Sequence, residues 1–209
     1  PTQPNGQSMD TLLAGYAAGA LPKALHALVG AHLELSPQSR DYVSVLEASL
    51  GRSFESNEMT RVEHRDERLS AIFALDAAPA RAAGAVPKAL EHFFGKSLDD
   101  LKFRTVLPGV KECQIPTDDG TTAMLYRIRA GKKMPQHTHE GSEYTLVIRG
   151  AFSDVTGRYG RGDIAISDED IDHTPIAEAG EECLCFAVMD APLRLTGPIG
   201  RFFNRFVKH

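Results

Sequence analysis

The chain has 209 residues, 42% of them hydrophobic, enough to bury a real core in one large or two modest domains. Its formal charge of −5 comes without the clustered Lys and Arg that neutralise phosphates, which argues against nucleic acid as a direct partner. No apolar run approaches the roughly 20 residues that span a bilayer, so no membrane role is expected. Three cysteines, Cys113, Cys183 and Cys185, form neither a disulfide framework nor a CxxC pair, which points to a reduced, cytoplasmic setting. The opening stretch, Pro1 to Ser8, is polar, lacks an initiator Met and lacks the basic and apolar regions of a signal peptide.

Helical signals fill the first part of the chain. Asp10 caps a predicted helix with Leu12, Leu13, Tyr16, Ala17 and Ala20 on one face, ended by Gly19. Pro22 suits the first turn of a second helix, whose face is Leu25, Leu28, Val29, His32 and Leu33. Ser36-Pro37 reads as cap and first turn of a third, with Tyr42, Val45, Leu46 and Leu50 directed inward and Gly51 as the stop. After a polar stretch over 52–60, a fourth helix is expected with Val62, Leu69, Ile72, Phe73 and Leu75 as its apolar stripe. Together these make a small helical bundle over residues 1–82. Such short, partly apolar helices are marginal alone, which suits a module that repacks around a partner. Residues 77–89 turn abruptly to Ala, Pro and Gly, and the segment 83–99 reads as a connection that includes a short helix from Lys88 to Phe94.

From about Lys102 the rhythm changes to short strands broken by turns. Candidates run from Val110 to Gln114, Ala123 to Arg129, Tyr144 to Ile148, Ala151 to Val155, Asp163 to Ile166 and Leu184 to Val188. Asp118-Asp119-Gly120 is a hairpin turn. Many short strands at this spacing imply an antiparallel sandwich or barrel over residues 100–209. Tyr144, Leu146 and Ile148 form one face of their strand, and Glu143, Thr145 and Val147 the other. A strand apolar on both sides needs cover on both, so the outer wall should pack on helices or on a second subunit. Cys183 and Cys185 share a face of a late strand, either as small core residues or as soft groups lining the barrel.

Within that region His137 and His139 are two apart, so an extended strand projects both to one side. A turn at Gly141 brings Glu143 back towards them, and His173 is the candidate fourth group. Imidazoles and a carboxylate converging on one point suit a divalent metal such as Zn²⁺, Fe²⁺, Mn²⁺ or Ni²⁺. In the helical half, His32, Ser36 and Ser39 have the spacing of an HxxxCxxC zinc motif with serine at both cysteine positions. Neutral hydroxyls are poor zinc ligands beside thiolates, so this half-site should not hold zinc tightly.

The spacing Gly131, His137, His139, Glu143, Gly150 matches the first cupin motif, G-x5-H-x-H-x3-E-x6-G, at every position. Gly162 and His173 match the second, G-x5-P-x-G-x2-H-x3-N, although Asp168, Asp170 and Ala177 stand where Pro, Gly and Asn are usual. The resemblance implies a double-stranded β-helix barrel with a metal inside, held by His137, His139, Glu143 and His173. The fold class expected is therefore α+β, a small helical bundle followed by a cupin barrel.

Leu12, Leu13, Tyr16, Ala17, Ala18 and Gly19, the HxxxCxxC-like segment, the cupin motifs and the run from Glu182 to Leu193 together resemble the ChrR-type anti-sigma factors over nearly the whole chain. That resemblance implies a helical domain that sequesters an extracytoplasmic-function sigma factor and a zinc-bound cupin that governs release under oxidative stress. It also implies, in the family, a helical zinc site of two histidines and two cysteines. Here only the equivalent of His32 remains, and one divalent metal per chain is expected, in the barrel, zinc ahead of iron, manganese or nickel. A homodimer through the cupin domain is a further expectation. The alternative readings are a cupin metalloenzyme, such as an iron-dependent dioxygenase of small diketones, and a metal-binding sensor without a sigma partner.

Overall fold

The computed structural model describes residues 9–55, 57–58, 60–75 and 85–196. Five helices come first: α1 (Met9–Ala17), α2 (Lys23–Leu35), α3 (Pro37–Gly51), α4 (Arg65–Phe73) and α5 (Lys88–Phe94). The strands that follow are β1 (Arg104–Leu107), β2 (Val110–Ile115), β3 (Thr122–Ile128), β4 (His137–His139), β5 (Glu143–Arg149) and β6 (Ala151–Ser153). They continue with β7 (Arg158–Gly160), β8 (Ile164–Ser167), β9 (Ile176–Ala177), β10 (Cys183–Met189) and β11 (Leu193–Leu195). This is the α+β, cupin-like architecture expected. Part of the Ala/Pro/Gly run, residues 76–84, lies outside the described residues.

Six antiparallel strands form one wall in the order β1-β2-β3-β10-β5-β8. The opposite wall is made of the pair β11-β4 and the trio β7-β6-β9, joined by bridges between His137 and His173 and between Lys133 and Ile176. Alternation along the central strands divides their side chains between two cores. Leu184, Phe186 and Val188 of β10 join Tyr144, Leu146 and Ile148 of β5 on the outer face. Cys183, Cys185 and Ala187 join Val147, Met124 and Tyr126 inside the barrel. Helices supply the outer cover: Leu28, Val29 and Leu90 are fully buried and share the outer core with those strand residues. Phe94 of α5 meets Phe186 edge-on at 5.5 Å between centroids.

Helix α2 is held at its start by the β2–β3 hairpin. Pro22 at its N-cap has no capping side chain, and Asp119 Oδ2 instead accepts from the Ala24 amide at 3.1 Å. A carboxylate there satisfies an orphan amide and complements the helix dipole. Helix α3 starts as the sequence indicates, with Ser36 Oγ accepting from the Ser39 amide.

Two expectations about the helices need correction. Of α3 only Val43 is buried, while Tyr42, Val45 and Leu50 are exposed. Helix α4 buries no residue; Val62, Ile72, Phe73 and Leu75 all face outward. Helical periodicity reports which side chains share a face, not whether the rest of the chain covers that face.

Candidate metal centre

Strand geometry assembles the site. His137 and His139 occupy alternate positions of β4, both buried. On one edge of β4 lies β11; on the other, His137 and His173 exchange backbone hydrogen bonds of 3.0 and 2.9 Å, which sets His173 directly across from His137. Glu143 is the first residue of β5, and the turn before it is closed by Asp190 Oδ1, which accepts from the Ser142 amide at 2.7 Å. Gly150, the last glycine of the first motif, ends β5 at φ +70°, where an added Cβ would come within 2.7 Å of the Glu182 carbonyl oxygen. Only glycine tolerates both the conformation and the approach.

One ligand atom from each of His137, His139, Glu143 and His173 lies within 4.8 Å of every other, and all four residues are buried. His173 Nε2 is 3.1 Å from His137 Nε2 and 3.4 Å from His139 Nε2, and His139 Nε2 is 3.3 Å from Glu143 Oε2. Atoms about 2.1 Å from one shared ion stand about 3.0–3.5 Å apart in octahedral or tetrahedral arrangements.

Hydrogen bonds at the far ring nitrogens make the case for a cation. His137 Nδ1 lies 2.8 Å from the Pro135 carbonyl, which only accepts, so Nδ1 carries the proton. His173 Nδ1 likewise donates to Asp154 Oδ2 at 2.7 Å. Both Nε2 lone pairs therefore face each other at 3.1 Å, an arrangement that repels unless a cation lies between them. His139 Nδ1 is buried without a hydrogen-bond partner among the described residues. The donor set thus fits one metal ion, with Asp154 and the Pro135 carbonyl orienting two of its imidazoles.

Electrostatics agree with groups held ready as ligands. Burial, assisted by His173, holds His137 down to about 4, and burial with both other imidazoles holds His139 at about 3, so neither takes a proton at neutral pH. Burial raises the Glu143 carboxyl to about 7 in the metal-free barrel. Burial also opposes ionisation of Asp154, but bonds from His173 and Thr156 outweigh it and leave the carboxyl below its usual range. Cys185 lines the cavity beside His137, Glu143 and His173, and its Sγ lies 3.3 Å from that of Cys183. The bond to Cys183 and burial raise the Cys185 thiol well above its ordinary value, so it remains protonated and is no rival ligand. The cavity itself, about 40 Å³, is lined by Tyr126, Met134, Phe152 and by His137, Glu143 and His173.

Asp154 was not legible as a site residue in the sequence. Its one local signal is the Asp154-Val155-Thr156-Gly157 turn, in which Asp154 Oδ1 accepts from the Thr156 amide and hydroxyl and from the Gly157 amide.

Known proteins carry the same plan. The ChrR Cupin-like domain family matches residues 93–191. The anti-sigma-E factor ChrR of Cereibacter sphaeroides is 38% identical over 206 residues, which cover 95% of this chain and 96% of that protein. The crystal structure of Rhodobacter sphaeroides SigE in complex with the anti-sigma ChrR aligns at 36% identity and a TM-score of 0.71, across 88% of this chain and 97% of that one. A likeness that runs through helices and barrel alike, at this identity, makes the chain a member of the ChrR family of anti-sigma factors with a cupin-like domain.

Proposed function

We propose that the chain is a cytoplasmic anti-sigma factor that binds an extracytoplasmic-function sigma factor through its helical region and senses oxidative stress through a metal-bound barrel. The observation that carries this reading is the set of apolar side chains on α3, α4 and their flanks that no other described residue covers. Val45 and Phe54 are each 67% exposed, Phe73 81% and Leu75 73%. Exposed apolar side chains on amphipathic helices suit a groove-type contact with a protein partner. The division of labour follows the chain, with residues 1–82 for the sigma factor and 100–209 for the metal. His137, His139, Glu143 and His173 are the proposed ligands of one divalent ion. Three imidazoles and one carboxylate suit a divalent ion, and the family resemblance puts zinc ahead of iron, manganese or nickel.

A diketone dioxygenase finds no support in the cavity beside the ligands, whose roughly 40 Å³ has room for a few waters only. The test is retention of a purified extracytoplasmic-function sigma factor on the immobilised full chain. Val45→Asp and Phe73→Asp should each abolish retention while leaving thermal stability unchanged, since both side chains are exposed. No retention by the unmodified chain, or full retention by both variants, would overturn the reading.

A further inference from the structure

The helical zinc site implied by the family resemblance does not fit this chain, and what stands in its place reaches further than a metal would. His32 is only 6% exposed, and both of its ring nitrogens are engaged. Nδ1 lies 2.6 Å from the Gly162 carbonyl oxygen, which can only accept, so Nδ1 donates. With Nδ1 donating, Nε2 accepts from the Ser39 hydroxyl at 2.8 Å, and Ser39 Oγ in turn accepts from the Ser36 hydroxyl at 3.1 Å. Ser36 Oγ closes the set by accepting from the Ser39 amide. Every polar atom that would face a metal already has a partner.

Gly162 belongs to the turn between β7 and β8. It has φ +93°, and an added Cβ would meet Leu35 Cβ at 3.1 Å, so the turn is seated against the last turn of α2. The same turn is bonded into the barrel: the Gly162 amide donates to the Val147 carbonyl at 2.8 Å, and the Val147 amide donates to the Asp163 carbonyl at 3.1 Å. Arg161 beside it donates to the carbonyls of Ile148 and Ala85. Val147 lies on β5, which begins at Glu143, and the β6–β7 hairpin leads back to Asp154 and so to His173.

We propose that His32 is a metal-free joint: through Ser39 on one nitrogen and Gly162 on the other it locks the α2–α3 corner to the barrel turn at 160–163, so that corner and turn open together. Where a zinc ion would clamp the two helices to each other, this relay ties them to the strand that carries a barrel ligand. The inference deepens the anti-sigma reading, since α3 carries part of the proposed sigma surface, and it names the contact through which the barrel would govern that surface.

Amide hydrogen exchange on the metal-replete full chain, without a sigma factor, tests the joint. Ser39→Ala removes one relay hydroxyl and creates no clash. It should speed exchange roughly two- to tenfold, the loss expected for one hydrogen bond, both in the first turn of α3 and at the amides of Gly162 and Asp163. Asp119→Asn, at the opposite end of α2, should leave residues 160–163 unchanged. Metal content should be the same for the unmodified chain and for the Ser36→Ala, Ser39→Ala double variant. An effect of Ser39→Ala confined to α3, no effect at all, or loss of a metal equivalent in the double variant would overturn the proposal. A failure to retain a sigma factor would sink the anti-sigma reading and leave this result untouched.

Discussion

Replacing Asp154 by asparagine changes one atom's chemistry next to the proposed metal ligands and leaves the shape of the site alone. In the native chain Oδ2 accepts from His173 Nδ1 at 2.7 Å, while Oδ1 takes three donors from its own turn: the Thr156 amide at 2.8 Å, the Thr156 hydroxyl at 2.6 Å and the Gly157 amide at 3.3 Å. Those three donors hold the asparagine oxygen on the turn side, so its NH₂ must face His173. Two donors cannot share that contact, and the His173 ring answers by moving its proton to Nε2, the atom that points at His137 and the metal position. Binding a cation then requires that Nε2 give up that proton, and the imidazole no longer has the carboxylate that raised its basicity. Substitutions of this kind lower metal affinity by about 10- to 100-fold, or about 1.4–2.7 kcal/mol. Competition against a chromophoric chelator at fixed pH measures the affinity, and thermal unfolding of the metal-free proteins checks that the turn survives. Asp154→Ala, which strips the turn of its acceptor as well, should lose affinity and metal-free stability together. If Asp154→Asn binds metal within twofold of the unmodified chain, the assigned tautomers and the role given to Asp154 are wrong.

Leu28 is fully buried between helix and sheet in the core they share, so Leu28→Ala should destabilise by about 2–5 kcal/mol in denaturant titrations. Tryptophan-free detection by circular dichroism should show helix and strand signals lost in the same transition; a helical phase lost alone would argue against a common core. Metal uptake should displace a proton from Glu143. Burial raises Glu143 to about 7 while His137 and His139 are held near 4 and 3, so between about pH 4.5 and 7 the Glu143 proton is the one the metal displaces. Affinity should therefore fall as pH drops below 7, and calorimetry in buffers of different ionisation enthalpy should detect proton release at about pH 6. No proton release there would mean that Glu143 is already ionised before metal binds, contrary to the burial that raises it.

The parts of this protein that were legible in its sequence are those set by local chemistry. Two histidines two positions apart in a strand share a face whatever surrounds them, and the spacing to Glu143 and Gly150 is fixed by one turn and one strand. His173 was reachable through its distance from Gly162. The helix starts at Ser36 and Lys88 and the hairpin at Asp118 were readable for the same reason, since caps and turns are decided by neighbours in the chain. What distant segments decide was not readable. The stripes of α3 and α4 looked like core because their period is helical, but nothing in the described chain covers them. Asp154 was invisible as a site residue because His173 lies nineteen positions away. His32 was recognised as the remnant of a zinc motif. That its ring would reach a barrel turn at Gly162 depends on how α2 lies against the sheet, which no local pattern encodes.

Elemental analysis of the purified full chain, beside His139→Ala and the Ser36→Ala, Ser39→Ala double variant, tests the central claim most directly. One equivalent of a single divalent metal is predicted for the unmodified chain, with the same value in the double serine variant and near-complete loss in His139→Ala. Two equivalents, none under metal-replete conditions, or a value indifferent to His139 would contradict the placement of one metal ion among His137, His139, Glu143 and His173.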